Sequence, residues 1–251
     1  MSGHSKWSSI KHQKGVTDAR RGQLFTKLTR EIMVAVRQGG SSPETNFRLR
    51  LAVQKARDNS MPLDNIERAI KRASGTMGEA ALIEMVLEGY GPSGAAILVE
   101  ALTDNRNRTL QDVRNIFSRH NGNLGESGCV AWLFDSKGLI TIRTNELDTE
   151  ELALEAIDAG AEDVTVENNF VAIYTRPEEL EAVRKALEEK SRPITSAELS
   201  MVPKTMVELD EKPALQTLKL LDKLEELDEV QRVSSNVNFS DSVLEKYQSP
   251  T

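Results

Sequence analysis

From Leu24 onward, apolar residues return every three or four positions: Leu24, Phe25, Leu28, Ile32, Ala35 and Val36. That period puts them on one stripe of a helix, with Lys27, Arg30 and Arg37 on the opposite side. Gly39-Gly40 stops the run. Ser42-Pro43-Glu44 then combines a capping hydroxyl, a first-turn proline and an acid, which predicts a second helix start there. Its apolar face is Leu49, Ala52, Val53 and Ala56. A third helix is predicted from Pro62, with the stripe Ile66, Ala69, Ile70 and Ala73, ending at Gly75. Asp64 and Glu67 come early in it and Lys71 and Arg72 late, the order that complements the helix dipole. These elements make a helical N-terminal domain, residues 1–75.

Beyond a short linker the pattern turns to strands. Apolar runs at 83–87 and 95–102 precede a helix expected from Thr109, whose buried side is Val113, Ile116 and Phe117. The glycine-spaced stretch GNLGESG (122–128) and a strand at 130–134 follow. Residues 138–204 read as strand 139–143, helix 150–159, strands 164–167 and 170–175, helix 178–190 and strand 198–202. That is the β-α-β-β-α-β order of a ferredoxin-like unit. The flanking pieces read as a second such unit: strand 95–102, helix 109–120 and strand 130–134 before it, strand 205–209, helix 214–227 and strand 230–239 after it. The expected fold class is therefore α+β, an N-terminal helical domain plus two ferredoxin-like-type α+β domains, one inserted in the other. The expected boundaries are 80–136 with 205–251 for the outer domain and 137–204 for the inserted one.

Charge sharpens this division. The formal net charge is -7, yet residues 1–75 hold 15 Lys and Arg against 6 Asp and Glu, while the remainder holds 17 against 33. A segment at +9 joined to one at -16 points to a polyanion-binding module on an acidic body. Within the first 32 residues stand Lys6, Lys11, Lys14, Arg20, Arg21, Lys27 and Arg30, with His12 among them and only two acids. The stretch from Lys6 to Arg21 has weak hydrophobic periodicity, so an arm that tracks a phosphate backbone explains it better than a helix edge. Trp7 has two readings, a stacking platform for an unpaired base or an anchor that holds the arm on the helical domain. A second candidate is TDNRNRT (103–109), where Arg106 and Arg108 fall in an expected loop. Guanidinium forks there suit phosphate, and an Asn/Asp-rich turn with incidental charge is the alternative.

Enzyme chemistry finds no constellation. GNLGESG has neither P-loop nor dinucleotide spacing, and GYGPSGA (89–95) lacks the nucleophile elbow and reads as a hairpin turn. His4, His12 and His120 are too few and too scattered for a metal site. The single Cys129 excludes an internal disulfide and a multi-cysteine metal site, and reads as a small core side chain. Neither cofactor nor metal is expected. No apolar run is long enough for a bilayer and no signal-peptide core is present, so no membrane contact is expected. The single cysteine suits a reducing cytosol. A monomer is the default expectation, because nothing in the sequence suggests an obligate dimer.

The motifs GHSKW (3–7), IKHQK (10–14), RGQLFTKLTREI (21–32), EGYGPSG (88–94) and DNRNRT (104–109) stand alongside the runs beginning at Asn59-Ser60-Met61-Pro62 and His120-Asn121-Gly122. Together they resemble the YebC/PmpR family over nearly the full chain. Ser60 interrupts an Asn-Met-Pro run of that pattern, and Asn121 replaces a glycine. The resemblance implies three domains and a non-enzymatic regulator of gene expression. The family is described both as DNA-binding transcriptional regulators and as ribosome-associated translation factors, and it includes the mitochondrial translational activator of cytochrome c oxidase subunit I. The expected partner is thus nucleic acid, either duplex DNA or ribosomal RNA on the ribosome. A protein-interaction scaffold is the third reading.

Overall fold

The described residues open with three helices: α1 (Asp18–Gly39), α2 (Phe47–Asp58) and α3 (Leu63–Ser74). The computed structural model describes residues 18–75, 82–144, 148–167 and 170–248, without the side chains of 18–20 and 248. The apolar stripes meet as their period requires: Leu28, Ile32 and Val36 of α1 pack with Leu49 and Val53 of α2 and Ile66 of α3. The second helix begins four residues later than Ser42 would place it, because Asn46 is its cap. Asn46 is buried; its Oδ1 accepts from Leu49 N at 3.0 Å while its Nδ2 donates to the carbonyls of Ala35 (2.7 Å) and Gly40 (2.8 Å). One side chain thereby stops α1 and starts α2, a role a serine hydroxyl is too short to fill. A Cβ on Gly39 would lie 2.7 Å from Asn46 Cγ, so this corner needs glycine. Asn46→Ala is expected to cost about 2–3 kcal/mol, the cap plus two orphaned carbonyls, read from the urea midpoint.

The fold is α+β, with two four-stranded sheets after the helices. The first contains β1 (Ile83–Tyr90), β2 (Ala96–Thr103), β3 (Asn123–Leu124) and β9 (Val230–Ser235) in the order β3-β1-β2-β9. Its helices are α4 (Arg106–Arg119) and α7 (Glu211–Glu225). Ile97 and Val99 on β2 pack with Phe117 of α4 and Leu221 of α7 in one core. Gly89 lets β3 approach, since a Cβ there would sit 2.6 Å from the Asn123 carbonyl oxygen.

The second sheet contains β4 (Phe134–Arg143), β5 (Asp163–Val166), β6 (Phe170–Thr175) and β7 (Ile194–Pro203), ordered β5-β6-β4-β7. With α5 (Thr149–Asp158) and α6 (Leu180–Glu189) it runs β-α-β-β-α-β, the ferredoxin-like order. Ile140 and Ile173 face Leu152 of α5 and Leu187 of α6 across its core.

Element detail in the first sheet differs from the sequence pattern. The GYGPSG turn closes a central β1–β2 hairpin, so β1 is a full member of the sheet. Residues 131–133 form a single 3-10 turn that leads into β4 rather than a strand of this sheet. The expected strand at 205–209 shrinks to β8 (Val207–Glu208), which pairs in parallel with β10 (Val237–Asn238). The chain ends its described part with α8 (Asp241–Gln248). Both departures from the family motif, Ser60 and Asn121, occupy left-handed backbone at φ 58.

Candidate nucleic-acid interface

The glycine-spaced stretch 122–130 is organised by the carboxylate that opens the EGYGPSG motif, to which the sequence pattern assigns no role. Glu88 on β1 is 5% exposed and accepts N–H bonds from Gly128 (2.7 Å), Val130 (2.8 Å) and Ala131 (2.7 Å). Those N–H groups are thus unavailable for a sheet ladder, which is why 130–134 is not a strand. Burial raises the Glu88 pKa, but the three N–H bonds outweigh it and hold the carboxyl below its ordinary range. Cys129 in the same turn is partly buried, and its thiol is pushed up by burial and by the Glu88 charge. It packs with Ala96, Leu98 and Phe134, as a small core side chain would. The site is therefore structural. Among the described residues, no group of three or more His, Cys, Asp or Glu could hold a metal ion.

The basic residues divide into two sets. One set faces the acidic body. Lys27 Nζ donates to the Glu225 carbonyl, and Arg30 Nη2 lies 3.6 Å from Glu229 Oε1. Arg48 bonds Glu31 at 3.1 Å and also pairs with Glu84. Burial lowers the Arg48 pKa, yet these two carboxylates more than reverse that. Lys55 pairs with Glu198, which also sits 3.6 Å from Arg232. Part of the charge asymmetry is therefore consumed at the seam between helices and sheets.

The other set faces outward. Arg68, Lys71 and Arg72 project from α3 opposite its Ile66–Ala69–Ala73 stripe and are exposed. With Thr29 of α1, Asn65 and Ala69 they line an open groove of about 470 Å³. Arg68 is oriented by bonds to the Asp64 carbonyl and to Asn65 Oδ1 at 2.9 Å. Arg37 and Arg57 are exposed on α1 and α2. The signal for this groove was present in the sequence: positions 68, 71 and 72 share one helical face by their i, i+3 and i+4 spacing. Lys71 and Arg72 in the last turn also complement the helix dipole, which accounts for them without a ligand.

Of the sequence-derived candidates, Lys6, Trp7, Lys11, His12, Lys14 and the side chain of Arg20 lie outside the described residues. Arg21 is exposed and borders a second groove with Leu24, Phe25 and Asp58. Arg106 and Arg108 are not in a loop. Helix α4 starts at Arg106 because Asn105 caps it, accepting from Arg108 N at 3.1 Å. Thr109, the expected start, is instead buried against Thr103, hydroxyl to hydroxyl at 2.8 Å. Arg106 is exposed, whereas Arg108 pairs with Asp104 (2.9 Å) and Glu229 (3.1 Å).

Comparison with known proteins places this geometry. Residues 5–76 match the model of the TACO1/YebC protein N-terminal domain, and residues 82–237 match that of the TACO1/YebC second and third domain. A probable transcriptional regulatory protein of Dehalococcoides mccartyi is 60% identical over 249 residues, covering 99% of each chain. One of Herpetosiphon aurantiacus is 52% identical, covering 98% of each. The crystal structure of a conserved hypothetical protein from Aquifex aeolicus superposes with a TM-score of 0.82 at 49% identity, over 88% of this chain and 91% of that one. Motifs, sheet order and near-complete alignment agree: the chain belongs to the TACO1/YebC family.

Proposed function

We propose that this protein is a non-enzymatic, nucleic-acid-binding regulator of gene expression that grips phosphate through its helical N-terminal unit. The observation that carries the reading is the α1–α3 groove. Arg68, Lys71 and Arg72 face solvent there, whereas Lys27, Arg30, Arg48 and Lys55 are turned toward the chain's own acids and carbonyls. On this reading residues 1–75 form the binding domain. The outer domain (80–136 with 205–251) and the inserted domain (137–204) position it and meet protein partners.

Two observations favour duplex DNA. Relatives are named probable transcriptional regulatory proteins. Helices α2 and α3 are also joined by the four residues Asn59–Pro62, with Ser60 in left-handed backbone. That is the linker length of a helix-turn-helix, whose second helix reads the major groove. Ribosomal RNA is the second reading. Shape and phosphate contacts suffice for it, and Asp64 and Glu67 at the start of α3 are poor neighbours for base edges along a DNA backbone.

The full chain would be titrated with promoter duplex, random duplex and a ribosomal RNA fragment between about 50 and 200 mM salt, where log K for a phosphate-binding protein falls linearly with log salt. A promoter footprint stronger than on random duplex supports transcription. Co-sedimentation with ribosomes, lost on reversing Lys71 and Arg72, supports translation. Salt-insensitive binding, or none, overturns the reading and leaves the scaffold.

A further inference from the structure

The helical unit is fastened to the rest of the chain where α7 runs into β9. Lys27 Nζ and Gln23 Nε2 donate to the carbonyls of Glu225 and Glu226, so α1 supplies a cation to the C-terminal end of α7, where the dipole favours one. Next along the same segment, Arg30 Nη2 and Arg108 Nη2 approach a single oxygen, Glu229 Oε1, at 3.6 and 3.1 Å. Glu229 has 16% of its side chain exposed and Arg30 has 20%, whereas Arg108 is half exposed and also pairs with Asp104. Arg30 Nη1 is buried with no hydrogen-bond partner among the described residues. Arg108 stands in the first turn of α4, where the macrodipole disfavours a cation. Two guanidiniums from two separate elements thus converge on one carboxylate oxygen, with donor capacity left over.

We infer that Lys27, Arg30 and Arg108 form a masked phosphate-binding cluster, which Glu229 and the Glu225 carbonyl occupy until a polynucleotide phosphate displaces them. This rests on the nucleic-acid reading. A phosphodiester offers the oxygens that one shared carboxylate oxygen does not, including a partner for Arg30 Nη1. Because α1 holds the α7–β9 connection through these same residues, occupation of the cluster loosens the helical unit from the sheets. The exposed α3 groove then makes first contact, and the masked cluster adds contacts once the seam has opened.

The test compares Glu229→Gln with Asp135→Asn, which removes one negative charge from an exposed pair with Lys204. In Glu229→Gln the phosphate no longer displaces a charged competitor, while the bound complex engages the same phosphates. That variant should therefore bind an oligonucleotide about three- to tenfold tighter, with the wild-type log K against log salt slope. Asp135→Asn should stay within about twofold of the wild-type affinity. Independently, hydrogen exchange on the wild-type chain should rise at residues 23–30 and 225–230 when oligonucleotide is added, and not with inorganic phosphate. A Glu229→Gln affinity no higher than that of Asp135→Asn, or exchange that stays constant, overturns the masking. If inorganic phosphate alone raises exchange, the claim for a polymer ligand fails. If wild-type binding depends on Lys71 and Arg72 while Glu229→Gln changes nothing, masking alone is wrong. If no variant binds any oligonucleotide, the nucleic-acid reading falls and the masking with it.

Discussion

Glu88→Ala lowers the stability of the chain by about 3–5 kcal/mol, the largest effect expected from any single substitution outside the hydrophobic cores. Three backbone N–H groups, of Gly128, Val130 and Ala131, lose their acceptor together. An unsatisfied buried donor costs about 1–3 kcal/mol. Only the Val130 bond is fully buried and those of Gly128 and Ala131 are partly so, which lets water in and keeps the total below the sum. Glu88→Gln keeps one acceptor oxygen and should lose roughly half as much. Denaturant midpoints at pH 7 check both. The pH dependence has a fixed sign. The folded pKa of Glu88 lies below its unfolded value of 4.5, so its stabilisation is complete above that value. It drains away as pH falls through the folded pKa. A wild-type acid limb that persists unchanged in Glu88→Gln would refute this assignment.

Reversing Lys71 and Arg72 together to glutamate should leave the fold intact and reduce affinity for nucleic acid by roughly ten- to a hundredfold near 100 mM salt, with a salt slope shallower by about 2. Both residues are exposed on the face of α3 opposite its core stripe, so circular dichroism should stay near wild type. Stability should fall only by the loss of their interaction with the helix dipole, about 1–2 kcal/mol. The fall should be similar across sequences if the groove only grips phosphate. It should be largest on one promoter if α3 also reads bases. The same reversal at Lys27 and Arg30 has a different expected signature. It breaks the contacts to residues 225–229 and lowers stability as well as affinity, which separates the exposed set of cations from the masked one.

How much of this was legible in the sequence depended on whether the governing interaction is local. The three helices of the N-terminal unit followed from their 3.6-residue stripes, and the inserted sheet from its strand and helix order, because both are set by periodicity. The start of α2 was misplaced because Asn46 caps it while also binding the end of α1, a contact across an interhelix corner. The strand expected at 130–134 failed for a similar reason. The hydrogen-bonding capacity there is claimed by Glu88, some 40 residues earlier, and no run of apolar residues records that. The basic arm was seen as a block of charge, yet charge counting does not distinguish an arginine aimed at solvent from one aimed at Glu229. Only the fold, which brings residues 30, 108 and 229 together, separates those cases.

Strand β9 pairs with β2, bringing Val99 beside Val233, whereas every strand of the inserted sheet lies between residues 134 and 203. During vectorial synthesis the later-encoded sheet therefore closes first, and the β1–β2 hairpin waits with an open edge until more than a hundred further residues have left the exit tunnel. Ile97 and Val99 on that waiting edge are fully buried in the finished molecule, so the interval before β9 arrives is when the nascent chain is most prone to aggregate or to need a chaperone.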